Sequence, residues 1–289
     1  MADGSELTIV LPARNEAAAL RSLLPDLRAR FPAAEIIVVD DASTDDTPAL
    51  AESAGCRVIS LPYNMGNGAA VKAGIRAASR ETTAIMDADG QHRPEDLERL
   101  VDRFRSGGFD MVVGARESPD HATGSRLVAN TVFNRLASWM TGQTVRDLTS
   151  GIRVAHSHML REFLSLMPNG FSYPTTITMA FFRSGYTVDY WPVQVQERIG
   201  KSHIRAWRDG VRFLLIIFRI GSLYSPLKLF VPVSVLLFLL ASAIYAYSYT
   251  TAGRFSNMSV LLYTTSLLTF LIGLVSEQIT NLMYMVRGR

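Results

Sequence analysis

The sequence predicts an α/β domain built on a mainly parallel β-sheet and followed by two membrane-spanning helices. Short apolar runs rich in β-branched residues alternate with helical patterns up to Gly114, an order typical of βαβ units with helices on both faces of the sheet. Two later runs, Leu229–Ala252 and Phe255–Ser276, contain no charged residue. At a rise of about 1.5 Å per residue, each can cross the roughly 30 Å hydrocarbon core of a membrane.

The individual elements follow from these patterns. The predicted strands are short and apolar, and they are Leu7–Leu11, Ile36–Val39, Arg57–Ser60, Thr83–Met86 and Met111–Val113. The predicted helices between them are Ala17–Arg30, Thr47–Ala54, Ala69–Ser79 and Pro94–Arg105. Beyond Gly114 the alternation weakens, and the sequence predicts helices over Ser125–Thr141 and Ser157–Leu166, a loop over Gly142–Gly151 and a strand over Thr187–Val195.

The chain therefore divides into three predicted regions. Residues 1–200 form the α/β domain, residues 201–226 form a basic amphipathic segment, and residues 227–289 form a two-helix transmembrane hairpin with a C-terminal tail. Pro226 and Pro232 are expected to break the chain before the first span.

The basic segment suggests a helix that lies in the membrane interface. Arg205, Arg212 and Arg219 are spaced seven residues apart within an apolar stretch, which places them near one face of a helix. A buried core helix with surface arginines is the alternative interpretation.

Charge and cysteine content restrict the class of protein. The net charge of +3 resides in the C-terminal hairpin region, and the first 225 residues are neutral overall, which argues against a nucleic-acid-binding domain. The single cysteine, Cys56, excludes an internal disulfide. Met1–Val10 lacks the basic and apolar pattern of a signal peptide. We therefore expect a cytoplasmic domain, with Arg287 and Arg289 also retained on the cytoplasmic side.

Paired carboxylates at one strand end give the sharpest chemical signal. Asp87 and Asp89 flank Ala88 directly after a predicted strand, so both side chains point to the same side. Two such carboxylates suit Mg²⁺ or Mn²⁺, with water and substrate phosphates as further ligands. A turn or a helix cap is the alternative, but capping accounts for the following Pro94-Glu95-Asp96 and not for Asp87, Asp89 or Gln91.

Two other predicted strands also end in polar residues. Asn15 and Glu16 follow the first strand and either cap the next helix or contact a ligand. Asp40 closes the second strand, where an acid can bond a ribose or a nucleobase. A glycine-rich turn, Asn64–Ala70, leads into a helix and allows close approach of the backbone to a ligand.

Taken in order, these motifs resemble the family 2 glycosyltransferases of GT-A fold, in particular the polyprenyl-phosphate branch that includes dolichol-phosphate mannose synthase. The matching pieces are Pro12–Glu16, Val38–Asp45, Asn64–Gly68, Asp87–His92, Val113–Arg116, Thr149–Arg153 and Arg198–Ser202. The two apolar spans extend the resemblance to nearly the whole chain. The chain departs from the family pattern at Ala13-Arg14, where a Tyr before the Asn is common, and at His203, where a Lys is usual.

The resemblance implies a role for each matching position. Residues lining the nucleotide pocket would be Pro12, Asn15, Glu16, Asp40 and Gly66, and residues closing over the diphosphate would be Arg198, Lys201 and Ser202. Asp87, Asp89 and Gln91 would hold Mg²⁺ or Mn²⁺. Arg116 and Arg126 would bind the phosphate of the lipid acceptor. Asp147, four residues before Gly151, lies either where acceptor and donor meet or in a capping position of its loop.

The implied activity is inverting transfer of a sugar from a nucleoside diphosphate to a polyprenyl phosphate at the cytoplasmic membrane face. The expected partners are the nucleotide sugar, the polyprenyl phosphate lipid and the membrane, with no nucleic acid, and the sequence leaves a homo-oligomer open. One alternative is a processive polysaccharide synthase, although the chain lacks a Q-x-x-R-W motif and further spans. The other is an inactive, membrane-tethered sugar-nucleotide sensor.

Overall fold

The structure is a computed structural model that describes residues 4–116, 124–170, 172–195, 215, 218, 221–222 and 226–287, with only the backbone of residues 124–130, 252, 281 and 283–287. The chain divides into two compact units, Met1–Ile216 and Ile217–Arg289. Arg205, Arg212 and Arg219 of the predicted interfacial helix lie outside the described residues.

The first unit alternates strands and helices. Its strands are β1 (Leu7–Ala13), β2 (Glu35–Asp40), β3 (Arg57–Ser60), β4 (Thr82–Met86), β5 (Met111–Arg116), β6 (Ile152–His156) and β7 (Val188–Val193). Its helices are α1 (Ala17–Arg30), α2 (Thr47–Ser53), α3 (Asn67–Ala77), α4 (Pro94–Gly107), α5 (Gly124–Thr141), α6 (Ser157–Glu162) and α7 (Tyr173–Arg183).

The strands form one mostly parallel sheet. Its order is β3-β2-β1-β4-β6-β5-β7, and only β6 runs antiparallel to its neighbours, β4 and β5. Strands β2, β1 and β4 are adjacent and parallel, so their carboxyl ends meet at one edge. The predicted α/β class with a mainly parallel sheet is confirmed.

Helices cover both faces of the sheet because the strands are apolar on both sides. Leu7, Ile9 and Leu11 of β1 belong to a buried cluster with apolar residues of α1 and α4. Val10 points to the opposite face, where a Cβ on Gly74 of α3 would overlap it. Burial of such a side chain contributes about 1.5–3 kcal/mol, and the close approach of α3 requires glycine at position 74.

The second half of the domain differs from the prediction in three elements. Strand β6 and helix α7 were not predicted, and the predicted helix over Ser157–Leu166 ends at Glu162. The second residue of strand β6 is Arg153, although that side chain is fully buried. A charged residue at that position masks the apolar pattern by which buried strands are recognised.

The second unit is a helical hairpin of α8 (Pro226–Ala252) and α9 (Asn257–Arg287). Both helices are long and apolar enough to cross a membrane, by length and composition. Ser234 Oγ donates to the Ser266 carbonyl at 2.9 Å, and Ser266 Oγ donates to the Ser234 carbonyl at 2.8 Å. Such reciprocal bonds between small residues are typical of closely packed membrane helices.

One detail of the first span was predicted wrongly. Pro226 begins α8 as expected, but Pro232 lies inside the helix and does not break the chain before it. Proline in the second turn removes a single backbone hydrogen bond, the one to the carbonyl of residue 228. The rest of the apolar helix is long enough to continue past that loss.

Candidate active site

The loops after β1 and β2 are bound to each other at the carboxyl edge of the sheet. Asn15 Oδ1 accepts from the Thr44 N–H at 2.7 Å, and the Asn15 N–H donates to Ser43 Oγ at 2.9 Å. Asn15 and Ala42 both have a φ of 56°, a conformation that Asn adopts more readily than most residues. The Asn15 side chain therefore shapes this edge of the site.

The choice between capping and ligand contact is resolved in part by the neighbouring residues. Asp45 Oδ2 accepts from the Ala17 N–H at the start of α1, and Asp45 Oδ1 accepts from the Thr47 N–H at the start of α2. Glu16 is the N-cap residue of α1, and its side chain makes no capping hydrogen bond. The side chain that caps the start of α1 is therefore that of Asp45, and not that of Asn15 or Glu16.

Asp40 and Asp41 are buried and organise two turns. Asp40 Oδ1 accepts from the Ser43 N–H at 3.0 Å. The two Asp41 oxygens accept from the backbone N–H groups of Met65, at 2.6 Å, and Gly66, at 2.9 Å. Asp41 thus holds the glycine-rich turn against the end of β2. The sequence alone did not indicate this role of Asp41.

The chain itself approaches the glycine-rich turn closely. A Cβ on Gly66, where φ is 98°, would lie 2.7 Å from the Asn169 carbonyl oxygen, and a Cβ on Gly68 would overlap the Pro168 carbonyl. The Ala69 N–H donates to that Asn169 carbonyl at 2.8 Å. These two glycines are therefore required for packing of residues 168–170, whether or not a ligand also lies beside Gly66.

The paired acids predicted to bind a metal lie at the end of β4. Asp87 is half-buried and Asp89 is buried, and the Gln91 N–H donates to Asp89 Oδ1 at 3.1 Å. Gly90, with a φ of 75°, allows the turn between Asp89 and Gln91. The described residues include no group of three His, Cys, Asp or Glu side chains placed to hold a metal ion. Two carboxylates and one carboxamide fit a Mg²⁺ or Mn²⁺ site that takes its remaining ligands from water and substrate.

Gly151 brings the loop before β6 directly against Asp87. The Asp87 N–H donates to the Gly151 carbonyl at 3.1 Å. A Cβ on Gly151 would overlap the Asp87 carboxylate. Asp87 and the loop that carries Asp147 are therefore in contact.

Arg116 and Asp147 form a two-bonded ion pair beside this contact. Nε and Nη2 of Arg116 lie 2.7 Å and 2.9 Å from Oδ2 and Oδ1 of Asp147, and Nη2 also bonds Thr149 Oγ1. Burial would raise the pKa of Asp147, but the hydrogen bonds and charge of Arg116 hold that pKa below its usual range. Arg116 remains 40% exposed, and its Nη1 makes no hydrogen bond to any described residue.

His92 lies close to this pair in a dry environment. Burial, with the charge of Arg116, lowers the pKa of His92 to about 4 against the opposing effect of Asp147, so the imidazole is neutral at pH 7. Its Nδ1 atom is buried and has no hydrogen-bond partner among the described residues.

Arg153 is a component of the site that the sequence did not single out by itself. Its side chain is fully buried, and Nη2 donates to the Ser150 carbonyl at 2.7 Å. The motif Thr149–Arg153 was recognised only through the family resemblance.

Four predicted site residues have side chains that lie outside the described part of the chain. Arg198, Lys201 and Ser202 lie outside the described residues, and only the backbone of Arg126, in α5, is described. Pro12 lies in the last part of β1, beside Val39 of β2. The structure thus brings together Asn15, Asp40, Gly66, Asp87, Asp89, Gln91, Arg116 and Asp147 along the carboxyl edges of neighbouring strands.

The mostly parallel sheet with paired carboxylates at its carboxyl edge is that of a glycosyltransferase domain, and the two apolar helices after it have the length and composition of membrane spans. The family model for glycosyl transferase family 2 matches residues 8–165, and the model of the GtrB C-terminal hairpin matches residues 225–282. The chain belongs to glycosyl transferase family 2.

Its curated relatives include several sugar transferases that act on polyprenyl phosphates. A dolichyl-phosphate hexose transferase of Haloferax volcanii is 32% identical over 71% of this chain and 89% of the relative. An undecaprenyl-phosphate mannosyltransferase of Micrococcus luteus is 30% identical over 67% of this chain and 85% of the relative. A polyprenol monophosphomannose synthase of Mycolicibacterium smegmatis is 29% identical over 66% of this chain and 77% of the relative.

Solved structures support the same fold. Glucosyl-3-phosphoglycerate synthase from Mycobacterium tuberculosis, in complex with Mn²⁺, UDP-glucose and phosphoglyceric acid, aligns with a TM-score of 0.63 over 75% of this chain and 80% of the other. The identity is 21%, so this likeness establishes the GT-A type of fold alone.

Proposed function

We propose that this protein transfers a sugar from a nucleoside diphosphate sugar to a polyprenyl phosphate, with inversion at the anomeric carbon, on the cytoplasmic face of the membrane. The observation that carries the proposal is the Arg116–Asp147 pair, which holds a partly exposed guanidinium against the loop whose Gly151 contacts Asp87. A site of this kind offers a place for two phosphate groups, one on the donor and one on the acceptor.

The donor side of the site is assigned to the ends of β1, β2 and β4. In this proposal Pro12, Asn15, Glu16, Asp40 and Gly66 line the nucleotide pocket, and Arg198, Lys201 and Ser202 cover the diphosphate. Asp87, Asp89 and Gln91 hold Mg²⁺ or Mn²⁺, which would neutralise negative charge on the diphosphate leaving group. Support comes from the donor set itself and from the structural neighbour with bound Mg²⁺ and UDP.

The acceptor side is assigned to Arg116, with Arg126 as a second cation. Nε and Nη2 of Arg116 are used by Asp147 and Thr149, so Nη1 is the group available to the lipid phosphate. An arginine fixed in this way by a carboxylate binds phosphate with little loss of side-chain freedom. Asp147 therefore orients the arginine that binds the acceptor.

The transfer requires no side-chain base in this arrangement. The second pKa of a phosphate monoester is about 6, so the acceptor is already an oxyanion near pH 7. Both oxygens of Asp147 already accept hydrogen bonds from Arg116, and Oδ1 also accepts from the Thr149 N–H. A carboxylate held in this way, with a depressed pKa, is poorly suited to accept a proton.

Membrane attachment is assigned to the hairpin of α8 and α9. Each helix has the length and hydropathy of a membrane span, and the two helices are joined by a turn of a few residues. Both ends of the hairpin then lie on one side of the membrane, which we assign to the cytoplasm because Arg287 and Arg289 flank the second span.

The proposal is tested by incubating the full-length, detergent-purified protein with Mn²⁺, a mixed-chain polyprenyl phosphate and, separately, sugar-labelled UDP-glucose and GDP-mannose. Transfer is measured as label recovered in the lipid phase together with an equal amount of released nucleoside diphosphate. Recovery of nucleoside diphosphate without lipid-bound label would show hydrolysis instead. No release from any donor of a wider nucleotide-sugar panel would favour the alternative of an inactive sensor.

A further inference from the structure

Arg153 lies inside the sheet, immediately before the strand ends that form the candidate site. It pairs with Ile85 of β4 on one side and Val113 of β5 on the other. Asp87 follows two residues after Ile85, and Arg116 follows three residues after Val113. The side chain is nevertheless fully buried, which is unusual for arginine.

The guanidinium connects the loop before β6 to the start of α7. Nη2 donates to the Ser150 carbonyl at 2.7 Å. Nη1 donates to the Pro174 carbonyl at 3.1 Å and to Thr178 Oγ1 at 3.3 Å, and the guanidinium carbon lies 5.5 Å from the centre of the Tyr173 ring. Three acceptors on two separate segments therefore fix the position of one cation.

The charge of Arg153 has no direct counter-ion in the described part of the chain. No described carboxylate oxygen lies within 4.0 Å of it. Burial lowers the pKa of Arg153, and the groups that oppose this effect are Tyr173, Tyr190, Asp87 and Asp147, in that order. A buried cation is costly unless compensated. Its compensation here comes from its three hydrogen-bond acceptors and from the more distant charges of Asp87 and Asp147.

The loop held by Arg153 is also the loop that contacts Asp87. Ser150 precedes Gly151, whose carbonyl accepts from the Asp87 N–H at 3.1 Å and whose Cα lies against the Asp87 carboxylate. Movement of Ser150 would therefore move the surface that limits the orientation of the Asp87 side chain.

We propose that Arg153 is a positioning residue for the metal-binding acid Asp87. By holding the Ser150–Gly151 backbone, the guanidinium fixes the Asp87 carboxylate in the orientation that binds a divalent cation together with a nucleoside diphosphate. The inference rests on the metal assignment in the proposed function. A lysine cannot take over this role, because one ammonium group cannot reach three acceptors with the geometry of a planar fork.

The test measures metal binding rather than turnover. Full-length protein in detergent is titrated with Mn²⁺ in the presence of UDP and, separately, GDP, and free Mn²⁺ is followed by its electron paramagnetic resonance signal. Arg153→Lys and Arg153→Met are compared with the parent. Arg28→Met is the matched control, because Arg28 also donates to two backbone carbonyls, those of Ala34 and Gly55. These two residues precede β2 and β3, so they lie at the opposite edge of the sheet from the candidate site.

We expect both Arg153 variants to weaken Mn²⁺ binding by about tenfold or more, as loss of a residue that orients a metal ligand commonly does. Arg28→Met should leave the affinity within about twofold of the parent, although it loses comparable backbone contacts. Folded Arg153 variants that bind Mn²⁺ like the parent would overturn the inference.

A milder variant decides the matter if both Arg153 substitutions prevent folding. Thr178→Val removes one acceptor of Nη1 and keeps the side-chain shape, so a smaller loss of Mn²⁺ affinity in the same direction is expected, and an unchanged affinity would refute the inference. A parent protein that binds no Mn²⁺ with either nucleotide would refute the metal assignment and this inference together. If the parent binds Mn²⁺ and the variants bind it with the same affinity, the inference is refuted and the metal assignment stands.

Discussion

Arg116 and Asp147 face each other in a two-bonded ion pair, with Nε 2.7 Å from Oδ2 and Nη2 2.9 Å from Oδ1. The two residues come from different parts of the chain, one at the end of β5 and the other in the loop before β6. Their pairing fixes a partly exposed arginine against the loop that contacts Asp87 at the end of β4. It also occupies the carboxylate that could otherwise serve as a base.

Substitution of Asp147 by Asn should impair positioning without removing a titrating group. An amide cannot accept from both Arg116 nitrogens, so misplacement of the guanidinium should raise the KM for polyprenyl phosphate and lower the rate by up to about a hundredfold. Steady-state kinetics with varied lipid measure both effects. Asp189→Asn is the matched control. Asp189 accepts a hydrogen bond from Arg103 Nε at the same distance, 2.7 Å, but this ion pair lies away from the site.

The pH dependence separates the two roles of Asp147. Its pKa is depressed in the folded protein, so any stabilisation from this carboxylate is complete above its unfolded pKa and is lost only as the pH falls through the folded one. The rate should instead rise with ionisation of the acceptor phosphate near pH 6. A second, higher ionisation in the parent that vanishes in Asp147→Asn would identify Asp147 as a base.

Asp89→Asn should abolish most activity while leaving the fold intact. The amide keeps the size of the side chain but removes one charged metal ligand, and we expect a loss of about a hundredfold or more. Turnover at saturating Mn²⁺ and circular dichroism measure the two properties. Asp102→Asn, on the exposed side of α4, should behave like the parent. Full activity of Asp89→Asn in the presence of a chelator would disprove the metal assignment.

Gly151→Ala should damage the site more than it damages the fold. The new Cβ would overlap the Asp87 carboxylate, so either Asp87 or the loop must shift, at a cost of about tenfold or more in activity. Gly170→Ala offers a control, because a Cβ at that position meets nothing within 4 Å. Equal activity of the two variants would show that the Gly151–Asp87 contact has no functional role.

If α8 and α9 both cross the membrane, both ends of the protein face the same side of it. Reporters fused before residue 1 and after Arg289 should both be active on the cytoplasmic side, and a cysteine introduced in the turn at Ser256 should react with an external reagent. A C-terminal reporter active only outside the cell would exclude a two-span hairpin.

The donor half of the domain could be predicted from sequence because its signals are local. Strands β1 to β5 are short apolar runs, and each acid of the site follows a strand directly, as at Asp40 and Asp87. The rule that parallel strands present their carboxyl ends at one edge then brings those acids together. The apolar spans could also be predicted from the sequence, because a run of about 20 uncharged apolar residues has few other structural uses.

The acceptor half depends on contacts that are distant along the chain. Asp147 and Arg116 are paired across 31 residues, and nothing in either local pattern requires that pairing. Arg153 was not expected in a core because burial of arginine is rare. Two of its three acceptors lie in α7, which was not predicted. The glycines at 66 and 68 suggested a ligand, but the close approach is made by residues 168–170, which only the folded structure reveals.

The central claim, that the acceptor is a lipid phosphate, is tested most directly by comparing two lipids of the same chain length. Release of nucleoside diphosphate is measured with the full-length protein, Mn²⁺ and a sugar nucleotide that supports turnover, with either polyprenyl phosphate or the corresponding polyprenol. We predict release with the phosphate and none above background with the alcohol, because Arg116 recognises the phosphate and no side-chain base activates a hydroxyl. Equal release with polyprenol, or with no lipid at all, would contradict the account.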